Sequence, residues 1–440
     1  MKRLLKKLVP NFVFRNYYYS LAVLSSLIYG FPSKKMIIIG VTGTKGKTST
    51  INFIWSALNA GGYKTGIIST ANIRIGDREV LNKYHMTMPG RFVINSLLRE
   101  MLDEGCKFCI IETTSEGIKQ YRNVGIVYDI AVFTNLYPEH LQSHDNSFDN
   151  YKRTKSKLFS DLSKYSKTID NKNIERIIIT NNDSEHSDFY SQFSSDKKFT
   201  FSINNKSDFK ADNISSNAER IKFSVNGGEF SLNILGSFNI YNALPAIIIS
   251  REFGISNSSI QKGFDNLLTI PGRMEKITSG QNFCVIVDYA HEKESMTNVL
   301  ATANSIKQSP NNKIIVLLGA EGGGRDKAKR PIMGKICAQM ADYVIVANVD
   351  PYDDDPRVIL EDIARSSELN GKIRNKDLFV IEDRRLAIRK ALSLAHNNDI
   401  VIITGKGAEQ SMIIDGRSIP WDDRTVVKEE LNLLLNKKDN

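Results

Sequence analysis

Cysteine is scarce in this chain, four residues among 440, too few for the disulfide framework of a secreted scaffold. Cys106 and Cys109 have CxxC spacing, but Cys109 enters the apolar run Cys109-Ile110-Ile111 and no second cysteine pair lies nearby. Two buried thiols fit that context better than a redox or zinc site, and the cell interior is the expected compartment. A long hydrophobic run is also lacking. The nearest candidate, Asn16 to Ser33, is short for a membrane span and is broken by Asn16, Ser20, Ser25, Ser26 and Gly30. It has no clear small-residue cleavage site, which counts against a signal peptide. An acidic excess is missing too: the net charge of +10 suits anionic small molecules or an acidic membrane surface. No basic run carries the interleaved aromatics of a single-strand binder, so nucleic acid is discounted as a partner. What remains, 41% hydrophobic and 25% charged residues, is an ordinary globular balance with room for two or three domains.

The chain is organised around Gly40-Val41-Thr42-Gly43-Thr44-Lys45-Gly46-Lys47-Thr48-Ser49-Thr50. Met36-Ile37-Ile38-Ile39 before it has the continuous apolar character of a buried parallel strand. After it, Ile51, Ile54, Trp55 and Leu58 recur with helical spacing until Gly61-Gly62. Strand, glycine loop, Lys47-Thr48 and helix together make a phosphate cradle. Backbone N–H groups from Gly43, Thr44 and Gly46 to Ser49 face the phosphates, Lys47 supplies a point charge, and the Thr48 hydroxyl is placed to ligate Mg²⁺. Val41 occupies the position of the first glycine in the common GxxxxGKT form.

Ahead of the cradle, Lys2, Arg3, Lys6 and Lys7 precede the uncharged stretch Asn16 to Ser33, rich in Tyr, Leu and Ile. It reads equally as a basic, aromatic helix lying on a membrane surface or as a helix packed on the neighbouring domain. Beyond the cradle, apolar runs alternate with helical patterns and end in polar clusters, such as Glu112-Thr113-Thr114-Ser115 after Phe108–Ile111 and Thr134-Asn135-Leu136 after Ile130–Phe133. Polar residues just past the C-terminal ends of strands mark the ligand edge of an open α/β sheet. From Lys198 to Asn233 the pattern turns to short alternating segments with an Asn-Gly-Gly turn, expected to be antiparallel strands. After Pro271-Gly272 a second α/β series follows, with strands expected at Cys284–Val287, Ile314–Leu318, Tyr343–Val346, Phe379–Ile381 and Ile400–Ile403. Two nucleotide-type domains facing each other across a cleft are expected.

In this order the motifs resemble the Mur ligases, ATP-dependent enzymes that build the peptide of peptidoglycan, and within them the muramyl-tripeptide synthetase branch. Beside the cradle they are Glu112–Ser115, Phe133–Leu136 with Glu139-His140-Leu141, Tyr151 with Lys155, Gly236–Ala243, Pro271–Glu275, Asp288–His291, Gly322–Asp326 with Lys329-Arg330-Pro331, and Gly405–Glu409. The resemblance implies a P-loop-type central ATPase domain over 36–272 with a small antiparallel insert, a Rossmann-like C-terminal domain over 273–440, and a leader helix over 1–35 in place of the usual uridine-binding domain. It implies ADP-forming amide ligation through an acyl phosphate, with ATP, an amino acid and a muramyl-peptide-type donor as substrates. Lys47, Lys155, His140 and Glu112 are the implied catalytic set. Thr48 and Glu112 hold one Mg²⁺, His140 helps hold a second, and Lys155 matches the family's carbamylated, CO₂-derived metal ligand. Asn242 matches the adenine contact, and Arg273, Asp288 and His291 close on the nucleotide from the second domain. Thr87, Ser115, Asp350, Tyr352, Lys406 and Glu409 are the implied substrate contacts.

Three departures bear on specificity. The usual donor's uridine has no evident site here, which points to a lipid-linked or otherwise membrane-held donor and to a cytoplasmic enzyme at the inner face of the membrane. Where diaminopimelate-adding members read Asp-Asn-Pro-Arg, this chain reads Val349-Asp350-Pro351-Tyr352. The arginine for a distal carboxylate is gone and Asp350 with Asp353 to Asp355 adds negative charge, which favours a basic amino acid such as lysine or ornithine. Lys45 stands where Asn is usual, and Ala408 where His follows the Gly-Lys-Gly turn, while Glu409 is retained. The alternatives are a relative acting on another carboxylate (folylpolyglutamate, poly-γ-glutamate or cyanophycin type) and a nucleotide-binding scaffold without catalysis.

Overall fold

The computed structural model describes residues 11–436 except 83, 85, 140, 218, 325 and 326. The chain divides into two compact units. The first holds the chain up to Ile214 together with Phe223–Phe230 and Ile240–Leu267. The second holds Ser215–Lys222, Ser231–Asn239 and everything from Leu268 onward.

The first unit begins with helix α1 (Asn11–Ile28) and strand β1 (Ile37–Thr42), which leads through the cradle into α2 (Lys47–Ala60). Strand β2 (Thr65–Ile68) and the hairpin β3 (Asn72–Ile75) and β4 (Arg78–Leu81) follow, then α3 (Arg91–Asp103), β5 (Phe108–Glu112) and β6 (Ile130–Phe133). Helix α4 (Phe148–Leu162), a small hairpin β7 (Lys167–Ile169) and β8 (Lys172–Ile174), and strands β9 (Ile177–Asn181), β10 (Lys197–Ser202) and β11 (Phe209–Lys210) complete the α/β part. Nine strands form one sheet in the order β11-β10-β9-β6-β1-β5-β2-β3-β4. It is parallel from β11 to β2 and antiparallel only at β3 and β4. β1 lies between β5 and β6 and is buried along its whole length, hence its unbroken apolar run. Each fully buried Ile or Val there contributes roughly 1.5–3 kcal/mol relative to exposure.

One expectation is corrected. Lys197–Ser202 does not belong to an antiparallel insert but extends the parallel sheet beside β9, with Thr200 paired to Thr180. Its alternating pattern reflects an outer strand with one partly exposed face. The three-stranded sheet is confined to β12 (Asp212–Ser216), β13 (Ile221–Val225) and β14 (Gly228–Leu232). β13 and β14 are joined by the two residues Asn226-Gly227, both at positive φ, a hairpin turn that requires antiparallel strands.

The leader is a helix packed on the first unit by its small, polar side. Ala22, Ser25 and Ser26 are buried; Ser25 Oγ donates to the Arg91 carbonyl at 3.1 Å and accepts from Asn95 Nδ2 at 3.1 Å. The Arg91 guanidinium lies 4.9 Å from the Tyr18 ring centre. Its junction with β1 is fastened by Lys167, whose Nζ donates to the carbonyls of Ser33 and Met36, both at 2.7 Å, and to Asp129 Oδ2 at 2.6 Å.

In the second unit the sheet runs β15 (Glu275–Lys276), β16 (Cys284–Asp288), β20 (Ile400–Thr404), β17 (Ile314–Leu318), β18 (Tyr343–Val346), β19 (Leu378–Val380), parallel except for β15. A hairpin, β21 (Ser411–Ile414) and β22 (Arg417–Pro420), follows β20. The strand ends are locked by Arg384, buried with Asp423 in a two-pronged pair of 2.8 and 2.6 Å. The same guanidinium donates to the carbonyls of Asn348 and Thr404, which holds the turns after β18 and β20 in place.

Candidate active site

The cradle is shaped by glycine where no other residue fits. Gly43 has φ 150°, and a Cβ there would stand 2.0 Å from Thr134 Oγ1. Gly46 has φ 81°, and its Cβ would stand 2.3 Å from Asn242 Oδ1. Gly46 is also the N-cap of α2 and supplies no side-chain cap, so the helix start faces the glycine loop through its backbone. The loop after β6 braces the cradle from the side. Asn135 accepts from Thr44 N at its carbonyl (2.9 Å) and from Lys45 N at Oδ1 (2.8 Å), while Thr134 Oγ1 donates to the Lys45 carbonyl at 2.7 Å. Lys45 Nζ lies 2.8 Å from Glu139 Oε1.

Three implied catalytic residues gather on this frame. Lys47 Nζ donates to the Thr44 carbonyl at 2.9 Å, lying back along the loop. Thr48 Oγ1 donates to Glu112 Oε2 at 2.9 Å, at the end of β5 beside the start of α2. Lys155, on α4, is buried, and its Nζ donates to the Gly43 carbonyl at 2.8 Å. Burial, reinforced by the nearby Lys47 charge, holds the Lys155 amine well below the usual lysine range. Thr44 and Ser49 are buried with the cradle, and the Thr44 hydroxyl meets Tyr151 OH at 3.2 Å. Asn242 lies against Gly46 and meets Thr50 Oγ1 at 3.4 Å. The implied metal ligand His140 lies outside the described residues.

Of the implied substrate contacts in this unit, Thr87 Oγ1 lies 2.8 Å from Thr70 Oγ1, and Ser115 Oγ lies 3.0 Å from His144 Nε2. Sequence reasoning missed Thr70 and His144. Thr70 donates to Glu112 Oε2 through both N (2.8 Å) and Oγ1 (3.0 Å). It stands just past the C-terminal end of β2, so the rule that singled out Glu112–Ser115 would have found it had Thr65–Ile68 been read as a strand. His144 is buried, and desolvation, helped by Lys119 and Lys155, lowers its pKa, which favours the neutral ring.

The second unit gathers its own cluster. Arg273 lies with its guanidinium 4.5 Å from the Tyr289 ring centre. Asp288 accepts from Met274 N at 2.8 Å and from Ala290 N at 2.7 Å, and His291 Nδ1 lies 2.7 Å from the Tyr289 carbonyl. Lys406 is wholly buried, pairs with Asp350 Oδ2 at 2.8 Å and also donates to Glu409. Glu409 accepts in addition from Tyr289 OH at 2.8 Å, and Asp350 Oδ1 from Ile413 N at 2.7 Å. Burial opposes the charge on Lys406, but Glu409 and Asp350 together raise its pKa, so it stays cationic. The extra acid expected from Asp353 to Asp355 is partly structural: Asp355 is the N-cap of the helix Pro356–Leu369 and accepts from Arg357 N. Tyr352 has φ 56° and packs against Gly323.

The Mur ligase middle domain family matches residues 41–250, and the Mur ligase glutamate ligase domain family matches residues 272–407. The chain belongs to the Mur ligase family. A UDP-N-acetylmuramoyl-L-alanyl-D-glutamate–2,6-diaminopimelate ligase of Clostridium tetani is 35% identical over 416 residues, covering 93% of this chain and 80% of that protein. A UDP-N-acetylmuramyl-tripeptide synthetase of a Roseiflexus species is 33% identical over 431 residues, covering 96% and 84%. A solved UDP-N-acetylmuramoyl-L-alanyl-D-glutamate–2,6-diaminopimelate ligase superposes with a TM-score of 0.61 at 26% identity, over 91% of this chain and 79% of that one. The fold is shared more widely: a Mycobacterium tuberculosis folylpolyglutamate synthase gives 0.68 at 16% identity, over 88% and 92%. This Mur ligase is therefore an ATP-dependent, ADP-forming acid–amino-acid ligase of cell-wall synthesis that works with Mg²⁺. Among the described residues no three His, Cys, Asp or Glu side chains converge as a ready-made metal cage. Mg²⁺ takes one or two carboxylates and completes its shell with phosphate oxygens and water. Thr48 and Glu112 offer hard oxygen atoms where such a shell would form.

Proposed function

We propose that this Mur ligase joins an amino acid to the carboxylate of a muramyl-peptide-type donor. The observation that carries this reading is the pairing of Thr48 with Glu112, 2.9 Å apart, beside an uncapped helix start. A donor carboxylate oxygen attacks the γ-phosphorus of ATP and ADP leaves; the amino nitrogen then attacks the acyl carbon, phosphate leaves, and the amine gives up a proton. When bound, Mg²⁺ offsets charge on the phosphates, and Thr48 and Glu112 are the residues that would hold it. The cradle N–H groups and Lys47 hold the transferred phosphoryl group. Lys155 is read as the carbamylated lysine. Only a neutral amine adds CO₂, and burial beside Lys47 favours that form. His140 is proposed for a second Mg²⁺, and Asn242, Arg273, Asp288 and His291 for the nucleotide.

For the amino acid, Lys406, Asp350 and Glu409 sum to one net negative charge, with Glu409 the most exposed of the three. This favours an ammonium group over a distal carboxylate, as does Tyr352 in the arginine position. Lysine or ornithine is therefore preferred to diaminopimelate, and Thr87 and Ser115 are assigned to the donor.

A membrane-surface contact through residues 1–33 belongs to the same reading. α1 buries Ala22, Ser25 and Ser26 but exposes Tyr17, Val23, Leu24, Leu27 and Ile28, the reverse of a helix that meets water. No described helix is long and apolar enough to cross a membrane. An aromatic, uncharged face preceded by Lys2, Arg3, Lys6 and Lys7 suits the headgroup region of an anionic inner leaflet. The Leu24→Gln/Leu27→Gln variant should lose sedimentation with phosphatidylglycerol vesicles; equal sedimentation of both proteins counts against the contact.

The deciding experiment follows ADP release with Mg²⁺-ATP and bicarbonate, offering uridine-linked or uridine-free muramyl dipeptide against a panel of amino acids. Release that needs both a muramyl donor and one amino acid is expected. Release with a folate or polyglutamate acceptor instead, or none with nucleotide bound, rejects the reading.

A further inference from the structure

Glu112 Oε2 is held by Thr48 Oγ1 from one side and by Thr70 N and Oγ1 from the other. Thr70 Oγ1 in turn lies 2.8 Å from Thr87 Oγ1. The direction of these bonds follows from proton counting. An ionised carboxylate only accepts, and a hydroxyl carries one proton. The Thr70 proton goes to Glu112, so Thr70 accepts from Thr87, and the Thr87 proton is committed as well. Thr87 therefore offers only lone pairs to whatever lies beyond it.

The turn that presents Thr70 is tied back to the cradle. Ser69 Oγ donates to the Asn72 side chain at 2.8 Å, Asn72 Nδ2 to Asn52 Oδ1 at 3.1 Å, and Asn52 Nδ2 to the Thr48 carbonyl at 2.9 Å. Thr48, Asn52, Asn72, Ser69-Thr70 and Glu112 thus close a ring of hydrogen bonds. Ser69, Asn52, Asn72 and Glu112 are buried in it. A buried, satisfied ring of this kind has little freedom to re-aim its members.

We propose that Thr70 is a positioning residue with two outputs. It fixes the carboxylate of Glu112 toward the metal, and it polarises Thr87 so that this residue meets the donor as a hydrogen-bond acceptor. The donor group at Thr87 is then an N–H or O–H, not a carboxylate oxygen. This rests on the reading of Glu112 as a Mg²⁺ ligand and of Thr87 as a donor contact.

The test compares wild type with Thr70→Val, Thr70→Ser and Thr87→Val for Mn²⁺ affinity in the presence of ADP, read by electron paramagnetic resonance without turnover. Loss of an outer partner of a metal ligand typically costs about 10–100-fold in affinity or activity. Thr70→Val should weaken Mn²⁺ by about tenfold, Thr70→Ser should restore it, and Thr87→Val should leave it unchanged, because the relay runs from Thr87 toward Glu112. Unchanged Mn²⁺ affinity in Thr70→Val overturns the proposal while leaving the ligase reading intact. No Mn²⁺ binding by wild type overturns the ligand reading and the relay with it. The polarity is read from KM for donor analogues lacking one amide N–H or hydroxyl at a time. One removal should raise KM in wild type and add nothing in Thr87→Val. If blocking the donor's non-reacting carboxylate is instead the change that Thr87→Val masks, the assigned polarity is wrong.

Discussion

Lys155 Nζ reaches across 2.8 Å to the carbonyl of Gly43, so the buried amine of α4 touches the backbone of the phosphate cradle itself. A lysine in that place is costly as a cation, with burial and Lys47 both opposing its charge. Carbamylation, as proposed above, would convert the neutral amine that this site favours into an anion next to Lys47.

The first prediction concerns that exchange. With ¹³C-bicarbonate the wild-type chain should show a carbamate carbonyl resonance that Lys155→Arg lacks. Arginine does not carbamylate at neutral pH, so turnover should fall by roughly 10²–10³, the size of one lost transition-state contact, with nucleotide affinity little changed. Because only the neutral amine reacts, dependence on added bicarbonate should steepen as pH falls. Full activity of Lys155→Arg would discard the carbamate.

A second prediction isolates the cradle. Gly43→Ala places a methyl group 2.0 Å from Thr134 Oγ1 on a backbone at φ 150°. Either Thr134 moves, releasing the Lys45 carbonyl, or the loop opens. Overpacking of this kind costs about 1–3 kcal/mol of stability, and binding of ATP should weaken by at least tenfold. Wild-type ATP affinity in a folded Gly43→Ala protein would mean that the loop does not face the nucleotide.

The contrast between Gly43 and Thr70 shows what the sequence made legible. Fully buried strands such as β1 and β5 are continuous apolar runs, and the polar residues after them are conspicuous, so Glu112 and the cradle could be read directly. β2 is only Thr65-Gly66-Ile67-Ile68, four residues interrupted by a glycine of low strand preference, and its burial comes from lying between β5 and β3. Its turn, and Thr70 with it, was therefore invisible. β10 misled for the converse reason: an outer parallel strand with a wet face alternates just as a hairpin strand does. The engagement of Asp350 with Lys406 was also beyond reach, since 56 residues separate the partners and no local pattern joins them.

A third prediction uses pH. Burial raises Asp129 to about 6 from an ordinary 3.8, although Lys167 and the Ile38 N–H favour its charge. Between those values the folded chain keeps a proton that the unfolded chain has lost. The Asp129 contribution is thus present below 3.8 and is lost as pH rises toward about 6. Asp129→Asn has no such proton, so the gap in Tm between wild type and Asp129→Asn should narrow from pH 4 to 6.5. A gap that widens over this range contradicts the assignment. Lys167→Met, which strands a buried carboxylate and frees the Ser33 and Met36 carbonyls, should cost about 3–5 kcal/mol at pH 7.5.

The last prediction concerns the buried lysine of the second unit. Lys406 holds two carboxylates, Asp350 and Glu409; Asp350 also accepts from Ile413 N and Glu409 from Tyr289 OH. Lys406→Met keeps the length and burial of the side chain but leaves two carboxylates facing each other without a cation. Removing one partner of a buried pair costs about 3–5 kcal/mol. Protonating a carboxyl group relieves this repulsion and ionising it restores the repulsion. The loss is consequently smaller at low pH and grows as pH rises, so Lys406→Met should be closer to wild type at pH 5 than at pH 8. Adding Asp350→Asn removes one stranded charge and should recover part of the loss at pH 8 but little at pH 5. If Glu409 receives the incoming ammonium group, saturating lysine or ornithine should also raise the Tm of Lys406→Met at pH 8 by supplying the missing cation. Thermal melts of the single and double variants at the two pH values decide it. A double variant no more stable than Lys406→Met at pH 8 would show that Lys406 serves packing, not charge.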